Sequence, residues 1–428
     1  MTPAVISIII LVVCIVLFVT RVIPNAATAC LGCLLFALTG VCSLEDAFSG
    51  FSNSIVLLMF GMMVVGIAMM DTGAAALIGK KVTQWSKHNE RLFIFIAGTT
   101  AAALSTFLSN TAVIAIFLPI IASIAQTDKK MNRMTRTLPV TMGAMFGGVC
   151  TLVGSTPQLT ANGILSEMCN TELGMFTYTL PGVIIFAVYM LYVQLIGYRL
   201  GKKIWAKEGR EASITEADTV AEEPIQINKP KLIIMLVIFL LTIVSFIGGW
   251  ISTSMTAIIA ALLCIVTGCT TQKSVIKNMD WSVVFVLAGC LGIASGITKG
   301  GAGELMGNAI SSVLSDSIPP ILIFALFVAA TIIVSNFITN STAVVIFLPV
   351  ALSLCNAMSL NPIAFTLGIV FAANLTFSTP LANAQTAMTL VAGYKFSDYI
   401  RYTWLLDILI ILAIIVVIPL FYPLTVVL

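Results

Sequence analysis

The chain has 428 residues, of which 59% are hydrophobic and only 9% are charged, and its formal net charge is +3. Soluble domains carry roughly 25% charged residues, so an ordinary soluble protein is excluded, and the small net charge gives no indication of a nucleic-acid partner. The apolar residues form runs of about 17–25 residues, the length of a helix that crosses a lipid bilayer. The alternating pattern of a membrane β-barrel is absent, which predicts an all-α polytopic membrane protein.

Each half of the chain contains five apolar stretches that are predicted to span the membrane. They are residues 4–20, 25–41, 54–72, 137–165 and 176–200, and then 231–250, 254–270, 281–299, 362–391 and 403–426. We expect the first span to be retained, because "MTPAVISIII" has no positive region before its apolar run. The polar stretch between the halves is too short to fold alone. We therefore divide the chain into a first repeat (1–203), a linker (204–230) and a second repeat (231–428).

Two further apolar stretches, about 91–125 and 319–355, each carry a polar triplet at their centre. Residues 109–111 read SNT within "TFLSNTAVIAIFLP", and residues 339–341 read TNS within "FITNSTAVVIFLP". Each stretch is too short for two full spans of about 20 residues plus a turn. We therefore predict two re-entrant hairpins that turn at the triplets, where protein or a water-filled cavity must shield the irregular backbone.

The distribution of positive charge agrees with this layout. If the hairpins count as no crossing, every Lys and Arg except Lys299 falls in a loop that follows an odd-numbered span. Because positively charged loops stay in the cytoplasm, we predict that both termini lie outside the cell membrane and that the linker 204–230 is cytoplasmic. The first hairpin then opens from the cytoplasm and the second from outside.

The two halves are also related in sequence. The stretch "LVGSTPQLTANG" (152–163) interrupts the fourth span and corresponds to "LTFSTPLANAQT" (375–386) in the ninth. Proline unwinds a helix locally, which frees carbonyl groups for a cation, while helix N-termini favour an anion. Five spans per half is an odd number, so the second half should be inverted relative to the first. Inverted repeats with matching interrupted helices are typical of secondary transporters.

The four interruptions carry Ser, Thr and Asn side chains, whose neutral oxygens suit a hard cation of low charge such as sodium. We place Asp71 and Asp407 near span ends and the single histidine, His88, in a basic loop. Proton-driven carriers usually need a carboxylate or histidine within the membrane, so sodium coupling or plain exchange is favoured. Polar residues that merely pack helices together are the competing explanation, which the matched pairs disfavour.

These residues resemble the divalent anion/sodium symporter family. That family carries a Ser-Asn-Thr triplet at the tip of each of two opposed hairpins, and a broken helix with a proline-containing loop follows each hairpin. The likeness extends from about Ser54 to Ala392. The first triplet matches outright, whereas the second reads Thr-Asn-Ser, and the loops read STPQ and STPL in place of a double proline.

The resemblance implies how the site residues divide between sodium and substrate. Two or more sodium ions per protomer would be held by Ser105, Ser109, Asn110 and the Gly154 carbonyl, and by Ser335, Asn340 and the carbonyls of Ile338 and Phe377. Substrate carboxylates would contact Asn110, Thr111, Ser155, Asn340, Ser341 and Ser378, with Thr342 and Thr379 as neighbours. No organic cofactor is implied. The family forms homodimers in which a fixed scaffold holds the dimer contact while the hairpin-bearing part slides, as in an elevator.

The leading interpretation is a secondary active transporter that carries a small divalent anion, expected to be a C4-dicarboxylate, in symport with sodium. An anion exchanger, or a carrier of sulfate or another oxyanion with the same fold, stays open as an alternative. A sodium/proton antiporter and a channel are less favoured. An enzyme is disfavoured because neither a nucleophile–base pair nor a metal cluster is apparent in the sequence.

Overall fold

The computed structural model describes residues 2–74, 77, 89–127, 132–205, 229–313, 318–380 and 383–425. Most of these residues lie in helices, and an isolated bridge between Leu360 and Thr425 is the only β-type pairing among them. Seven of the described helices are long and apolar enough to cross a membrane. The predicted all-α class is therefore confirmed.

The two halves contain the same order of helices. In the first half these are α1 (Pro3–Thr20), α2 (Asn25–Leu38), α3 (Leu44–Ala47), α4 (Ser54–Asp71), α5 (Glu90–Ser105), α6 (Asn110–Thr127), α7 (Arg133–Gly148), α8 (Thr156–Cys169) and α9 (Thr179–Trp205). A 3-10 turn at Ser49–Ser52 precedes α4, and α9 contains a π-helical turn at Val193–Gly197.

Among the described residues, the second half repeats this order and shows one further helix. Its helices are α10 (Lys229–Gly248), α11 (Thr253–Val266), α12 (Gln272–Asn278), α13 (Trp281–Lys299), α14 (Ala302–Val313), α15 (Pro320–Ser335), α16 (Asn340–Met358), α17 (Pro362–Asn374), α18 (Ala384–Met388) and α19 (Phe396–Phe421). The helix α14 occupies the position of residues 75–88, which lie largely outside the described part of the first half.

Part of the predicted cytoplasmic surface also lies outside the described residues. The helix α9 ends at Trp205 and α10 begins at Lys229, so the linker 204–230 is described only at its ends. Other predicted loop residues outside the described ranges are Lys80, Lys81, Lys87, His88, Lys129, Lys130, Lys207 and Arg210.

Asparagine side chains cap the N-termini of several helices that carry the site. Asn89 accepts a hydrogen bond from the Leu92 amide at the start of α5, and Asn132 and Asn361 do the same at the starts of α7 and α17. Such a cap satisfies a backbone donor that has no partner within the helix. The second hairpin begins instead with Pro320 in the first helical turn, where its missing N–H costs nothing.

The two halves pack against each other through equivalent helices. The helix α2 packs against α13, and in the same way α11 packs against α4. A Cβ built on Gly61 would lie 2.6 Å from the Ala257 backbone, and one built on Gly289 would lie 2.6 Å from Ala29 Cβ. Small residues thus let both helix pairs approach closely.

Both polar triplets interrupt helices, as predicted. The helix α5 ends at Ser105 and α6 begins at Asn110, and α15 ends at Ser335 and α16 begins at Asn340. Both predicted broken helices are interrupted as well, between α7 and α8 and between α17 and α18. The first interruption, residues 149–155, overlaps only the start of 152–163, because Pro157 belongs to the first turn of α8, a position where proline is tolerated.

The placement of Asp407 near a span end was wrong. The last span was predicted at 403–426, but α19 begins at Phe396, so Asp407 is the twelfth of its 26 residues. The Lys395 amide donates to Asp398 Oδ2, and this cap starts the helix ahead of its charged residues. Asp71 does lie at a helix end, as the last residue of α4.

Candidate substrate and cation site

Two serine side chains form hydrogen bonds at the tip of the first hairpin, one with Asn110 and one with the backbone. Ser105 Oγ donates to Asn110 Oδ1 across 2.5 Å, and both residues are buried. Ser109 Oγ accepts a hydrogen bond from the Ala112 amide at 3.3 Å and so caps α6. Thr111 is exposed in the same turn. Three of the four predicted site residues of this tip are therefore engaged with one another or with the start of α6.

The second tip repeats this arrangement with one change. Ser335 Oγ lies 3.4 Å from Asn340 Oδ1, but it lies closer, at 2.8 Å, to the Ala373 carbonyl in α17. Thr339 caps α16 by accepting from the Thr342 amide, and the two threonine hydroxyls lie 2.6 Å apart. The predicted substrate neighbour Thr342 thus contributes to a helix cap. Its hydroxyl is turned back toward the hairpin turn.

The first broken helix fits closely around Asn110. A Cβ built on Gly148, the last residue of α7, would lie 2.0 Å from Asn110 Oδ1, so the asparagine amide occupies the space that glycine leaves. The Gly148 carbonyl accepts a hydrogen bond from Gln158 Nε2 at 2.6 Å. Gly154 also approaches this carbonyl, since a Cβ there would lie 2.3 Å from it. Ser105, Asn110, Gly154 and the start of α8 therefore belong to one cluster.

The two breaks dock onto their hairpins through matching contacts. Thr151 Oγ1 donates to the Thr106 carbonyl in the first half, and Thr379 Oγ1 donates to the Asn336 carbonyl in the second. The acceptors are the residues that directly follow α5 and α15. In the second half Asn336 Oδ1 also accepts the Ser378 amide at 3.1 Å, so the predicted residues Ser378 and Thr379 lie beside the second hairpin.

Two predicted residues of the second half are placed by their apolar surroundings. Ile338 and Phe377 are buried, with exposed fractions of 4% and 0%. The Phe377 ring stacks on Phe146 of α7 with ring centroids 5.4 Å apart. Only backbone carbonyls were predicted to act at these positions, so the phenylalanine side chain is free to pack elsewhere. Ser341 is partly exposed, and none of the described residues makes a hydrogen bond with its side chain.

Residues from the two halves meet at Ser155. Its Oγ donates to Asn374 Oδ1 at 2.9 Å, and Asn374 Nδ2 lies 3.4 Å from Gln158 Oε1. Gln385 Nε2 of α18 reaches Thr111 Oγ1 on the first hairpin, also at 3.4 Å. The two breaks and the first hairpin tip therefore form one connected polar region, and Asn340 joins it through Ser335 and α17.

The sequence analysis did not identify several residues of this region, among them Gly148, Gln158, Asn336 and Asn374. Gln158 and Asn374 are almost fully buried, at 0% and 2% exposed. The available signal was their polar character within apolar surroundings, since Gln158 follows the first STP and Asn374 stands just before the stretch that carries the second. Their contact, however, joins α8 to α17, which no local pattern reveals.

The region is not purely neutral. Ser378 Oγ donates to Asp407 Oδ2 and lies 2.8 Å from Thr403 Oγ1, both on α19. Ser155 has no such partner among the described residues and contacts the amides of Gln158 and Asn374 instead. A carboxylate therefore lies next to a predicted substrate residue, contrary to the expectation from sequence.

A family model described as "Citrate transporter" (CitMHS) matches residues 15–344 and 319–427. The chain belongs to this family. Together with the seven described helices that are long and apolar enough to cross a membrane, this match identifies the chain as a multi-pass membrane transporter.

Individual relatives agree with this assignment. An uncharacterised transporter of Haemophilus influenzae is 26% identical over 419 residues, which cover 93% of this chain and 88% of the relative. The sodium-dependent dicarboxylate transporter SdcS of Staphylococcus aureus is 24% identical over 410 residues, which cover 88% of this chain and 78% of SdcS. The resemblance to sodium-coupled carriers of divalent anions is thereby confirmed at the level of the family.

A solved structure supports the fold. The Alcanivorax borkumensis YdaH transporter matches with a TM-score of 0.66 at 12% identity, and the match covers 98% of both chains. At this identity the likeness concerns the arrangement of helices alone.

Proposed function

We propose that this member of the citrate transporter family is a secondary active transporter that carries a small carboxylate anion into the cell in symport with sodium. The observation that supports it best is the pair of matched tips, in which Ser105 meets Asn110 and Ser335 meets Asn340, each beside a broken helix. A C4-dicarboxylate is the leading substrate, in keeping with the name of the relative SdcS. Citrate is the second candidate, because the family model carries that description.

The proposed sodium sites consist of neutral oxygens. At the first tip these are the oxygens of Ser105, Ser109 and Asn110 together with the Gly154 carbonyl, and hard cations prefer such oxygen ligands. At the second tip they are the oxygens of Ser335 and Asn340 with the carbonyls of Ile338 and Phe377. The closeness of Gly154 to Gly148, which itself lies against Asn110, supports the first set. Two ions per protomer are expected.

The proposed substrate site lies where helix N-termini gather. The helix α6 begins at Asn110, α8 at Thr156 and α16 at Asn340, and each N-terminus carries partial positive charge that favours an anion. Hydroxyl and amide groups complete the site: those of Asn110, Thr111, Ser155, Asn340, Ser341 and Ser378, with Thr342 and Thr379 beside them. Bound sodium would neutralise substrate carboxylates in place of Lys or Arg.

The arrangement in the membrane is part of this proposal. We propose two inverted repeats, both termini outside, a cytoplasmic linker at 204–230, and a homodimer whose hairpin-bearing part moves as an elevator against a fixed scaffold. The reciprocal packing of α2 with α13 and of α11 with α4 supports the repeat. A C-terminal tag that antibodies detect on intact cells would support the orientation, whereas detection only after permeabilisation would contradict it.

Uptake into proteoliposomes tests the function. Labelled succinate and labelled citrate would each be offered to the reconstituted protein under an inward sodium gradient and under an equal potassium gradient. Accumulation with sodium alone is expected for one or both substrates. Equal uptake in both gradients would contradict sodium coupling, and uptake only into vesicles preloaded with unlabelled anion would show exchange instead.

A further inference from the structure

Asp407 has a buried oxygen that receives no hydrogen bond. It lies twelfth in α19, so about 17 Å of helix precede it at 1.5 Å per residue. Ser378 donates to its Oδ2, whereas Oδ1 is buried and has no hydrogen-bond partner. A charged oxygen without a donor is costly to bury. The structure therefore places at mid-helix a carboxylate that a cation would stabilise.

The surroundings supply no such charge from the protein itself. The helices α9, α15 and α17 pack against α19, and α15 and α17 contain no ionisable side chain. From α9, Tyr192 lies close enough to interact with Asp407 electrostatically. The other ionisable groups of the two remaining helices are Tyr189, Tyr198, Arg199, Lys202 and Lys203 on α9, and Asp398, Tyr399, Arg401 and Tyr402 on α19. None of the described Lys and Arg residues forms an ion pair with Asp407.

We propose that Asp407, Ser378 and Thr403 form a third cation site, which binds one exchangeable monovalent cation, either a proton or a sodium ion. Carboxylate and hydroxyl oxygens are suitable ligands for a hard cation, and the three side chains are already in contact through Ser378. The proposal rests on the proposed function in one respect, namely that Ser378 is a substrate residue.

The Ser378 hydroxyl links this cation to the substrate. It has one proton, which it donates to Asp407 when the carboxylate is charged. Once a cation neutralises Asp407, the hydroxyl becomes available to donate to a substrate carboxylate. The Ser378 amide is held by Asn336 in the second hairpin, so the link also reaches the hairpin. Cation and substrate then bind cooperatively, each raising the affinity for the other by the same factor.

The first test needs no substrate. The unfolding temperature of the purified full-length protein would be measured while sodium replaces potassium at constant ionic strength, and separately from neutral to acidic pH. A ligand that binds the folded state stabilises it by mass action, so wild type should respond to one of these changes. Asp407→Asn should respond less, because it loses the part of the response that Asp407 supplies while the two proposed sodium sites at the hairpin tips keep theirs. Asp71→Asn is the matched control, because Asp71 accepts hydrogen bonds from Thr270 and Ser274 at the end of α4.

The outcomes separate the two cations. A smaller sodium response in Asp407→Asn than in wild type identifies sodium, and a smaller pH response with an unchanged sodium response identifies a proton. Responses equal to those of wild type would overturn the site. If Asp407→Asn fails to fold, Thr403→Val takes its place, since it keeps the carboxylate and removes one hydroxyl. It should require about threefold more of the same cation, and an unchanged requirement would overturn the site.

Transport provides an independent readout. One coupled monovalent cation under a tenfold gradient drives about tenfold accumulation of substrate, so Asp407→Asn should lose about that factor. Accumulation equal to wild type would overturn coupling through Asp407. If wild type takes up neither succinate nor citrate, the proposed function fails, and the unfolding measurements still decide whether Asp407 binds a cation.

Discussion

The two broken helices share a frame but differ in what they contact. In the first, Ser155 stands at the start of the 14-residue helix α8 and meets the amides of Gln158 and Asn374. In the second, Ser378 lies in an extended connection before the short helix α18 and meets Asp407 and Thr403. Equivalent positions in the two halves have thus taken different partners, one neutral and one charged. We propose that the shared frame sets where the site lies and that the different partners set what each half binds.

The largest effect on transport is expected from replacing the asparagine at either hairpin tip. Asn110→Ala and Asn340→Ala should each lower uptake about 100-fold, because a hydrogen bond to a charged group contributes about 1.5–3 kcal/mol and 1.4 kcal/mol corresponds to tenfold. Initial rates of uptake into proteoliposomes measure the effect. Asn278→Ala, on the exposed α12, is the control and should behave as wild type. Normal uptake by either site variant would remove that hairpin from the site.

Gly148 tests how closely the first break must fit its hairpin. In Gly148→Ala the new Cβ would lie 2.0 Å from Asn110 Oδ1, and strain of about 2 kcal/mol corresponds to about a 30-fold loss of uptake. Gly66→Ala is the matched control, because the nearest atom to its Cβ would be Leu108 Cδ2 at 3.9 Å. If both variants transported alike, Asn110 would not need its observed position.

Ser105 and Ser335 test whether the two hairpin tips contribute unequally to sodium binding. Ser105→Ala should raise the sodium concentration for half-maximal uptake about tenfold, since Ser105 contacts Asn110 at 2.5 Å. Ser335→Ala should raise it only about threefold, because Ser335 lies nearer to the Ala373 carbonyl than to Asn340. Sodium titrations of uptake measure both. An unchanged curve would exclude that serine from its cation site, and a larger effect at Ser335 would reverse the proposed order.

The smallest effect is expected at Gln158. Gln158→Ala removes neutral hydrogen bonds to the Gly148 carbonyl and Asn374, which contribute about 0.5–1.5 kcal/mol each. The KM for substrate should rise only about twofold with little change in kcat, because these hydrogen bonds position neighbouring groups and do not themselves contact the substrate. Gln194→Ala serves as the control. Gln194 lies in α9, and among the described residues its side chain forms a hydrogen bond only with the Arg91 carbonyl of α5. An equal rise in both variants would show a general loss of packing.

Local patterns predicted the helices and their interruptions, because apolar runs and polar triplets act over a few residues. The starts of α6 and α16 at Asn110 and Asn340 follow from such signals. The side-chain contacts between distant helices could not be predicted from such local patterns. Whether Ser378 meets Asp407 depends on how α19 packs, and the early start of α19 at Phe396 depends on the hydrogen bond that Asp398 accepts from the Lys395 amide. Tertiary contacts of this kind have no sequence period.

The reciprocal glycine contacts have a consequence for how the protein is made. Cys33 of α2 bonds to the Gly289 carbonyl of α13, a residue synthesised 256 positions later. The close-packed face of α2 therefore has no partner while the ribosome completes the linker and the first helices of the second half. Contacts so distant in sequence form slowly, and neither half can complete its folding before the other is present. We expect a chain truncated before α13 to be recognised by membrane quality control and degraded, however well its own spans insert.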